Sequence, residues 1–158
     1  MGKLIRYLKD LYHQYMIRRA TDAMKPFNMN GVRCYGRLVH VYDGDTFRAC
    51  VYHNKKIKKL TFRPIGYDTP EMRPLKSMIG RDEHKAQAVI ARQKFIDLCG
   101  GIGTYVFLDC EKYDKYGRVL VHVSKRRYSK KTINNLMLES GLANAYDGGT
   151  KREFNLMV

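Results

Sequence analysis

A short-period alternation of apolar and polar residues between positions 33 and 62 constrains the fold of this chain most strongly. Its apolar members are Leu38, Val41, Phe47, Cys50, Val51, Ile57, Leu60 and Phe62. Alternation of this kind is typical of strands that bury one face. Turn-forming residues at Asp43-Gly44 and at residues 53–55 interrupt the run. The sequence therefore predicts three consecutive strands joined by short turns.

The rest of the chain alternates between further strands and helices. The predicted elements are strands at residues 105–110 and 119–123, a turn at 114–117, and helices at 81–98 and 132–140. Glycines at positions 80 and 100 are expected to bound the longer helix, whose buried face should include Ala86, Val89, Ile90 and Ile96. Four or five short strands with isolated helices favour an α+β fold, a small barrel with packed helices, over a parallel sheet.

An amphipathic helix is predicted ahead of this domain, over residues 3–23. Its apolar residues recur at three- and four-residue spacing and are Leu4, Leu8, Leu11, Tyr12 and Tyr15, with Lys3, Arg6, Arg18 and Arg19 adding positive charge. A helix of this kind can contact a membrane or nucleic acid, but packing on its own domain or on a partner chain is favoured here. The chain is thus divided into a helix at 1–25 and a domain at 26–158.

The balance of charge restricts the class of partner. The 158 residues include 30 Lys and Arg against 15 Asp and Glu, a formal charge of +15. A positive field of this size attracts phosphate polymers and anionic membranes. The four cysteines lack the paired spacing of a zinc site.

The sequence predicts no membrane span and no signal peptide. No apolar run approaches the about 18 residues that a span requires, and charged residues at positions 6, 9 and 10 interrupt the N-terminal segment. An intracellular setting is favoured. For a viral protein, this would mean the host cell or the virion.

Acidic residues and arginines cluster in short segments of this otherwise basic chain. Each has a structural interpretation when taken singly: Asp45 lies in a predicted turn, and Thr69 with Pro70 and Glu71 suits the start of a short helical turn. Taken together, these residues suggest a site for a metal ion and a phosphate group. Carboxylates suit a hard cation or can activate water, and guanidinium groups grip phosphate oxygens.

Three ordered motifs match a known family. The segments DGDTF at 43–47, TFRPIGYDTPE at 61–71 and DKYGRVL at 114–120, followed by NNLMLESGLA at 134–143, resemble the thermonuclease family of staphylococcal-nuclease-like domains. The resemblance covers residues 32–146. It implies a five-stranded OB-fold barrel with helices and calcium-dependent hydrolysis of DNA and RNA that leaves 3′-phosphate ends.

The resemblance also implies roles for individual residues. It assigns Asp45, Asp68 and the backbone carbonyl of Thr69 to calcium, Arg63, Glu71 and Arg118 to catalysis, and Lys115 and Tyr116 to the terminal phosphate of the substrate. Arg63 would bind the scissile phosphate, Glu71 would act as general base on water, and Arg118 would stabilise the leaving 5′ oxygen. Because guanidinium hardly deprotonates, Arg118 is expected to act electrostatically. Aromatic residues such as Tyr113, Tyr116 and Tyr146 could stack on bases, whereas most of the 12 tyrosines are expected to serve packing.

Two alternative functions accompany this prediction. The chain could be a non-catalytic nucleic-acid-binding module on the same fold, or a membrane-associated protein that uses its N-terminal helix. Well-known members of the family continue into another helix beyond the position that matches Gly149. The N-terminal helix is therefore expected to cover apolar surface that the additional helix would otherwise bury.

Overall fold

A computed structural model of the chain describes residues 2–18, 20–23, 27–149 and 154. The elements in chain order are α1 (Gly2–Ile17), β1 (Arg33–Asp43), β2 (Thr46–His53), β3 (Lys56–Pro64), β4 (Gly66–Asp68), α2 (Arg81–Cys99), β5 (Tyr105–Tyr113), β6 (Val119–Ser124), α3 (Ile133–Glu139) and β7 (Asn144–Tyr146). Every strand and helix predicted for the domain is present. The three-residue strands β4 and β7 were not predicted.

Five strands close into a barrel in the order β1-β2-β3-β6-β5. All neighbours are antiparallel except β3 and β6, which run parallel at Phe62–Val119, Arg63–Leu120 and Pro64–Val121. The long strand β1 pairs with both β2 and β5, and its register with β2 shifts twice, between Leu38 and His40 and between Val41 and Asp43. Such irregularities bend a strand, which lets β1 close the barrel. The predicted α+β fold, a five-stranded OB-type barrel with helices, is confirmed.

Aromatic residues connect the barrel to α2. Phe47 and Phe62 are opposite each other on β2 and β3, with their rings 5.3 Å apart at 17°. Phe95 of α2 packs on Phe47 at the same centroid separation of 5.3 Å. All three side chains are fully buried. Helix α2 therefore packs against the barrel core through Phe95.

The buried face of α2 differs from the prediction. The buried residues are Ala88, Ala91, Phe95 and Cys99, whereas Ala86, Val89 and Ile90 are exposed and Ile96 is partly buried. The prediction followed the larger aliphatic residues. The helix instead buries Ala88 and Ala91 together with Phe95 and Cys99, because small side chains let the helix backbone approach its neighbours closely. Gly80 and Gly100 bound α2 as expected, both in left-handed conformation.

Contrary to the prediction, the N-terminal helix is not buried against the barrel. It ends at Ile17 instead of extending to residue 23, and none of its residues is buried. Its expected role in covering apolar surface of the domain is therefore wrong. The predicted boundary at residues 25 and 26 lies outside the described residues. Among the described helices, none combines the length and apolar character needed to cross a bilayer.

The corrected face of α2 can be tested by unfolding. We expect Phe95→Ala to lower the free energy of unfolding by about 3–5 kcal/mol, because it removes a fully buried ring from the barrel core. Ile90→Ala, on the exposed side of the same helix, should cost well under half of that. Urea denaturation followed by circular dichroism measures both. A loss for Ile90→Ala that equals or exceeds the loss for Phe95→Ala would contradict the described buried face.

Candidate functional site

The ends of several barrel elements surround one cavity of about 580 Å³. It is lined by Tyr42, Asp43, Asp45, Thr61, Arg63, Glu71, Arg73, Lys115, Tyr116, Gly117, Arg118 and Tyr146. These residues come from the β1–β2 turn, the end of β3, the segment after β4, the β5–β6 turn and β7. Six of the eight residues singled out from the sequence therefore line one cavity. The other two, Asp68 and Thr69, are buried, and Asp68 bonds to Arg63.

Arg63 holds two acidic segments together at the base of this cavity. Its Nη1 donates to Asp45 Oδ2, and its Nη2 donates to Asp68 Oδ1 at 2.9 Å and to the carbonyl oxygen of Tyr67 at 3.4 Å. Arg63, Asp45 and Asp68 are only 8%, 5% and 2% exposed. Burial alone would lower the pKa of Arg63, but the two carboxylates raise it above its usual value. The guanidinium therefore stays charged and couples the β1–β2 turn to β4.

Asp43 adds a third carboxylate that the sequence interpretation did not assign to the site. It is 8% exposed, and its Oδ1 accepts the backbone N–H of Asp45 at 3.3 Å. Burial raises the pKa of Asp45, the charge of Asp43 raises it further, and Arg63 opposes both effects. Asp43, Asp45 and Asp68 with the single Arg63 leave an excess of negative charge when all are ionised. The repeat of aspartate around Gly44 was the signal for this residue.

Gly44 allows the β1–β2 turn to lie directly against Thr69. A Cβ at this position would lie 2.7 Å from Thr69 Cγ2 and 3.0 Å from Thr69 Oγ1. The carbonyl oxygen of Gly44 accepts the hydroxyl of Tyr67 at 2.8 Å. Burial raises the pKa of Tyr67 well above its usual value, so this hydroxyl stays protonated and can donate. The turn that carries Asp45 is thereby held at a set distance from Asp68 and Thr69.

The short strands β4 and β7 place Asp68 and Tyr146. They form a two-stranded antiparallel sheet in which Asp68 pairs with Asn144 and Gly66 with Tyr146. The Tyr146 ring centre lies 5.5 Å from Arg63 Cζ, so the ring packs beside the guanidinium, and both side chains line the cavity. Strands of three residues show too little alternation for detection in sequence.

A second arginine is held by the β5–β6 turn. Arg118 Nε donates to Asp114 Oδ2 at 2.7 Å, and Asp114 Oδ1 accepts the backbone N–H groups of Tyr116 and Arg118, each at 2.9 Å. Burial by itself would raise the pKa of Asp114. The backbone N–H groups of Arg118 and Tyr116 and the guanidinium of Arg118 lower it by more, so the pKa of Asp114 lies below its usual value. The carboxylate of Asp114 thus fixes both the turn and the side chain of Arg118.

Thr46 links the two arginines through hydrogen bonds. Arg118 Nη1 donates to Thr46 Oγ1 at 3.0 Å, and that hydroxyl donates to Asp45 Oδ1 at 3.0 Å. Asp45 in turn accepts from Arg63. A continuous path therefore runs from one guanidinium to the other, and it orients both on the same cavity. The sequence interpretation did not identify Thr46 as part of the site.

The remaining predicted residues lie at the rim. Glu71 is exposed and lines the cavity, and no helix begins at Thr69, so the interpretation of Thr69 as a helix cap is wrong. The Tyr116 ring is 72% exposed and lies 5.5 Å from Arg118 Cζ and 5.2 Å from Lys115 Nζ. Tyr113, expected to stack on bases, packs against the barrel core instead.

The buried acids form a donor set suited to a hard cation. Carboxylate and backbone carbonyl oxygens are the ligands that calcium prefers, and the excess negative charge around Asp45 favours binding of a positive ion. The hydroxyl of Thr69 is buried and makes no hydrogen bond within the described part of the chain. Three His, Cys, Asp or Glu side chains do not converge on one point anywhere in that part. The protein would therefore supply few ligands and leave positions for water and phosphate oxygens.

A barrel of this topology with paired arginines and carboxylates in one cavity defines a domain of the nuclease type. The family profile described as staphylococcal nuclease homologue matches residues 61–156, more than half of the chain. The chain therefore belongs to the staphylococcal nuclease homologue family, as the three motifs predicted. The matched segment includes Arg63, Asp68 and Arg118, whereas Asp43 and Asp45 precede it. A sequence search finds no matching curated protein.

The contact between Gly44 and Thr69 gives a stability prediction. We expect Gly44→Ala to destabilise the domain by about 1–3 kcal/mol, because its methyl group overlaps Thr69 Cγ2. Adding Thr69→Ser removes that methyl group and should restore part of the loss. Gly2→Ala is the control, because a Cβ there meets nothing within 4 Å. Urea unfolding of the unmodified chain, Gly44→Ala, Thr69→Ser, the double variant and the Gly2→Ala control measures the coupling, and simple additivity would contradict the contact.

The raised pKa of Asp45 predicts how stability depends on pH. An acid whose pKa is higher in the folded than in the unfolded state destabilises the fold once both states are ionised. Asp45→Asn should therefore raise the free energy of unfolding at pH 7. The gain should shrink as the pH falls through the folded pKa towards about 4, near the pKa of an unfolded aspartate. Chemical denaturation without metal at pH 4, 5, 6 and 7 measures it. A gain that grows on acidification would have the wrong sign.

Proposed function

We propose that this protein hydrolyses phosphodiester bonds of DNA and RNA in a calcium-dependent reaction with little sequence preference. The observation that carries the proposal is the arrangement around Arg63. A guanidinium bridges two buried acidic segments at the base of a cavity whose rim holds another guanidinium and an exposed carboxylate. The family match supports a nuclease-type domain.

Asp45, Asp68 and the Thr69 backbone carbonyl are the proposed calcium ligands. When bound, the ion would supply positive charge that offsets the charge developing on phosphate oxygens. The protein's own part is to keep Asp45 and Asp68 close together, while Arg63 opposes the rise in the pKa of Asp45. Arg63 holds both carboxylates, while the excess negative charge contributed by Asp43 favours a cation.

The two arginines are proposed to bind the reacting phosphate. A guanidinium has five N–H donors, and the carboxylate and carbonyl contacts of Arg63 leave donors for a phosphate oxygen at the cavity. Arg118 approaches from the β5–β6 turn, where Asp114 and Thr46 hold it. Two fixed positive groups around one phosphate would stabilise its additional negative charge in the transition state.

Glu71 is the proposed general base. It lies at the exposed rim, apart from the buried carboxylates, where water reaches it. In the proposed reaction Glu71 accepts a proton from water, and the water oxygen attacks phosphorus as the P–O5′ bond breaks. The leaving 5′ oxygen lies near Arg118, which stabilises its charge without donating a proton. The 5′ oxygen takes a proton from solvent water, and Glu71 returns its proton to solvent, so the products are a 3′-phosphate and a 5′-hydroxyl.

Residues beyond the reacting phosphate are proposed to hold the polymer. Lys115 and Tyr116 would contact the terminal phosphate, and the exposed face of Tyr116 offers a surface for base stacking. Stacking and phosphate contacts do not depend on base identity, so they support cleavage at many sequences. The formal charge of +15 favours encounter with nucleic acid in general.

A non-catalytic binding module on the same fold is the alternative. Such a module would need the basic surface and the tyrosines but not the acidic groups. This chain has acidic residues as well as both arginines at the cavity. Asp45 and Glu71 line it, and Asp68 bonds to Arg63. Retention of the buried acids favours catalysis, because negative charge in a cavity weakens simple binding of a polyanion.

Cleavage assays test the proposed function. Plasmid DNA, single-stranded DNA and RNA should be degraded with calcium and spared with a chelator. Glu71→Gln should lower the rate by about 10²–10⁴-fold, as expected for loss of a general base. Arg118→Lys, which keeps the charge but loses the fork that binds Asp114 and Thr46, should also lower it.

A matched control makes this assay specific to the cavity. Glu139→Gln removes an exposed carboxylate on α3 that pairs with Lys131 and should leave the rate unchanged. Products should resist polymerase extension until a phosphatase removes their 3′-phosphates. Full activity of Glu71→Gln would exclude the proposed base, and binding without cleavage by the unmodified protein would establish the non-catalytic alternative.

A further inference from the structure

Helix α1 presents a large apolar surface to solvent. Its large apolar residues, Leu4, Ile5, Tyr7, Leu8, Leu11, Tyr12, Tyr15, Met16 and Ile17, are each between 43% and 66% exposed. None of the residues in α1 is buried. A contiguous apolar surface of this kind marks an interaction site, because leaving it in water is unfavourable. The described part of the barrel does not bury it.

All the large apolar residues of α1 except Ile17 lie on the half of the helix opposite its charged residues. At about 100° per residue, the apolar residues from Leu4 to Met16 fall within one half of the circumference. The polar half carries Lys3, Arg6, Lys9 and His13. Lys3 and Lys9 lie on its two sides, towards the borders with the apolar half. A helix of this form places one face in an apolar medium and keeps the other in water.

The width of the apolar face argues against a second copy of the chain as the partner. Two helices that pair use a narrow seam of about two positions in seven, whereas the apolar face of α1 spans half of the helix. Pairing of two copies would leave part of that face exposed. It would also bring the border lysines of one copy near those of the other.

The charges of α1 point to an anionic partner. Residues 2–18 contain Lys3, Arg6, Lys9 and Arg18 against a single acid, Asp10. Nucleic acid would engage these cations but would leave the apolar half in water. A lipid surface engages both, because long cationic side chains reach lipid phosphates while the apolar face enters the acyl boundary.

Tyrosines strengthen this assignment. Tyr7, Tyr12 and Tyr15 belong to the apolar face, and Arg18 Cζ lies 5.1 Å from the ring centre of Tyr15. Tyrosine is enriched where a membrane meets water, since its ring is apolar and its hydroxyl polar. The helix also lacks the length and apolar character of a span, which fits a position in the plane of the surface.

We propose that α1 binds the surface of anionic membranes, with its axis in the membrane plane and its apolar half in the lipid. Helix α1 would then hold the barrel against the bilayer without itself being part of the barrel core. This proposal does not depend on nuclease activity, because it uses no residue of the cavity.

Vesicle co-sedimentation of the full chain, in chelator and at physiological salt, tests the proposal. Vesicles with 30% phosphatidylserine in phosphatidylcholine should bind at least tenfold more tightly than phosphatidylcholine alone. The overall charge of the protein could itself cause binding to anionic vesicles. Leu8→Gln/Leu11→Gln leaves that charge unchanged but removes apolar surface, and it should weaken binding at least tenfold. His13→Gln, on the polar half, is the control and should bind normally.

A fluorescent residue distinguishes insertion from adsorption. The chain has no tryptophan, so Tyr12→Trp provides a single probe on the apolar face. Its emission should shift to the blue with phosphatidylserine vesicles and stay unchanged with phosphatidylcholine alone. Equal binding of Leu8→Gln/Leu11→Gln and the unmodified chain, or an unshifted emission, would overturn the proposal. A dimer in light scattering that this double variant dissociates, without vesicle binding, would identify a second copy as the partner.

Discussion

The ion pairs of Arg63 with Asp45 and Asp68 are the interaction on which the cavity depends. They join the β1–β2 turn to β4 across the end of the barrel, and all three side chains are almost fully buried. Removing charges from water is unfavourable unless they are closely paired. The surrounding structure supplies that pairing: β3 carries Arg63 to the barrel end, and β7 holds β4 beside it. Loss of Arg63 would leave both buried carboxylates without the positive charge that pairs with them.

The cavity is acidic at its base although the protein as a whole is strongly basic. Asp43, Asp45 and Asp68 outnumber the one guanidinium bonded among them, and burial with Asp43 raises the pKa of Asp45. Such an arrangement is costly for stability, and tuned ionisable groups of this kind are common at functional sites. The hydrogen-bonded path through Thr46 extends the same network to Arg118, so both arginines face the cavity with little freedom.

Individual residues show where sequence reasoning worked and where it did not. The barrel strands were predicted because apolar residues recur at even spacing within a strand, as Phe47 and Val51 do on β2 and Leu60 and Phe62 on β3, which a half-buried strand imposes. The buried face of α2 was mispredicted because the helix has apolar residues on two faces. Which of the two faces is buried depends on how closely the helix packs against the rest of the domain. Ala88 and Ala91 permit that approach. Strands β4 and β7 were missed because three residues show no measurable period.

The sequence by itself determined the barrel, its turns, the family and a set of chemically suitable residues, because local periodicity and ordered motifs are properties of the chain. Tertiary structure alone decided that Asp43 and Thr46 join this set, that Tyr113 does not, and that α1 leaves its apolar face exposed. These outcomes depend on contacts between residues far apart in the chain. Burial and pairing, which set the energy of a charge or an apolar surface, exist only after the chain has folded.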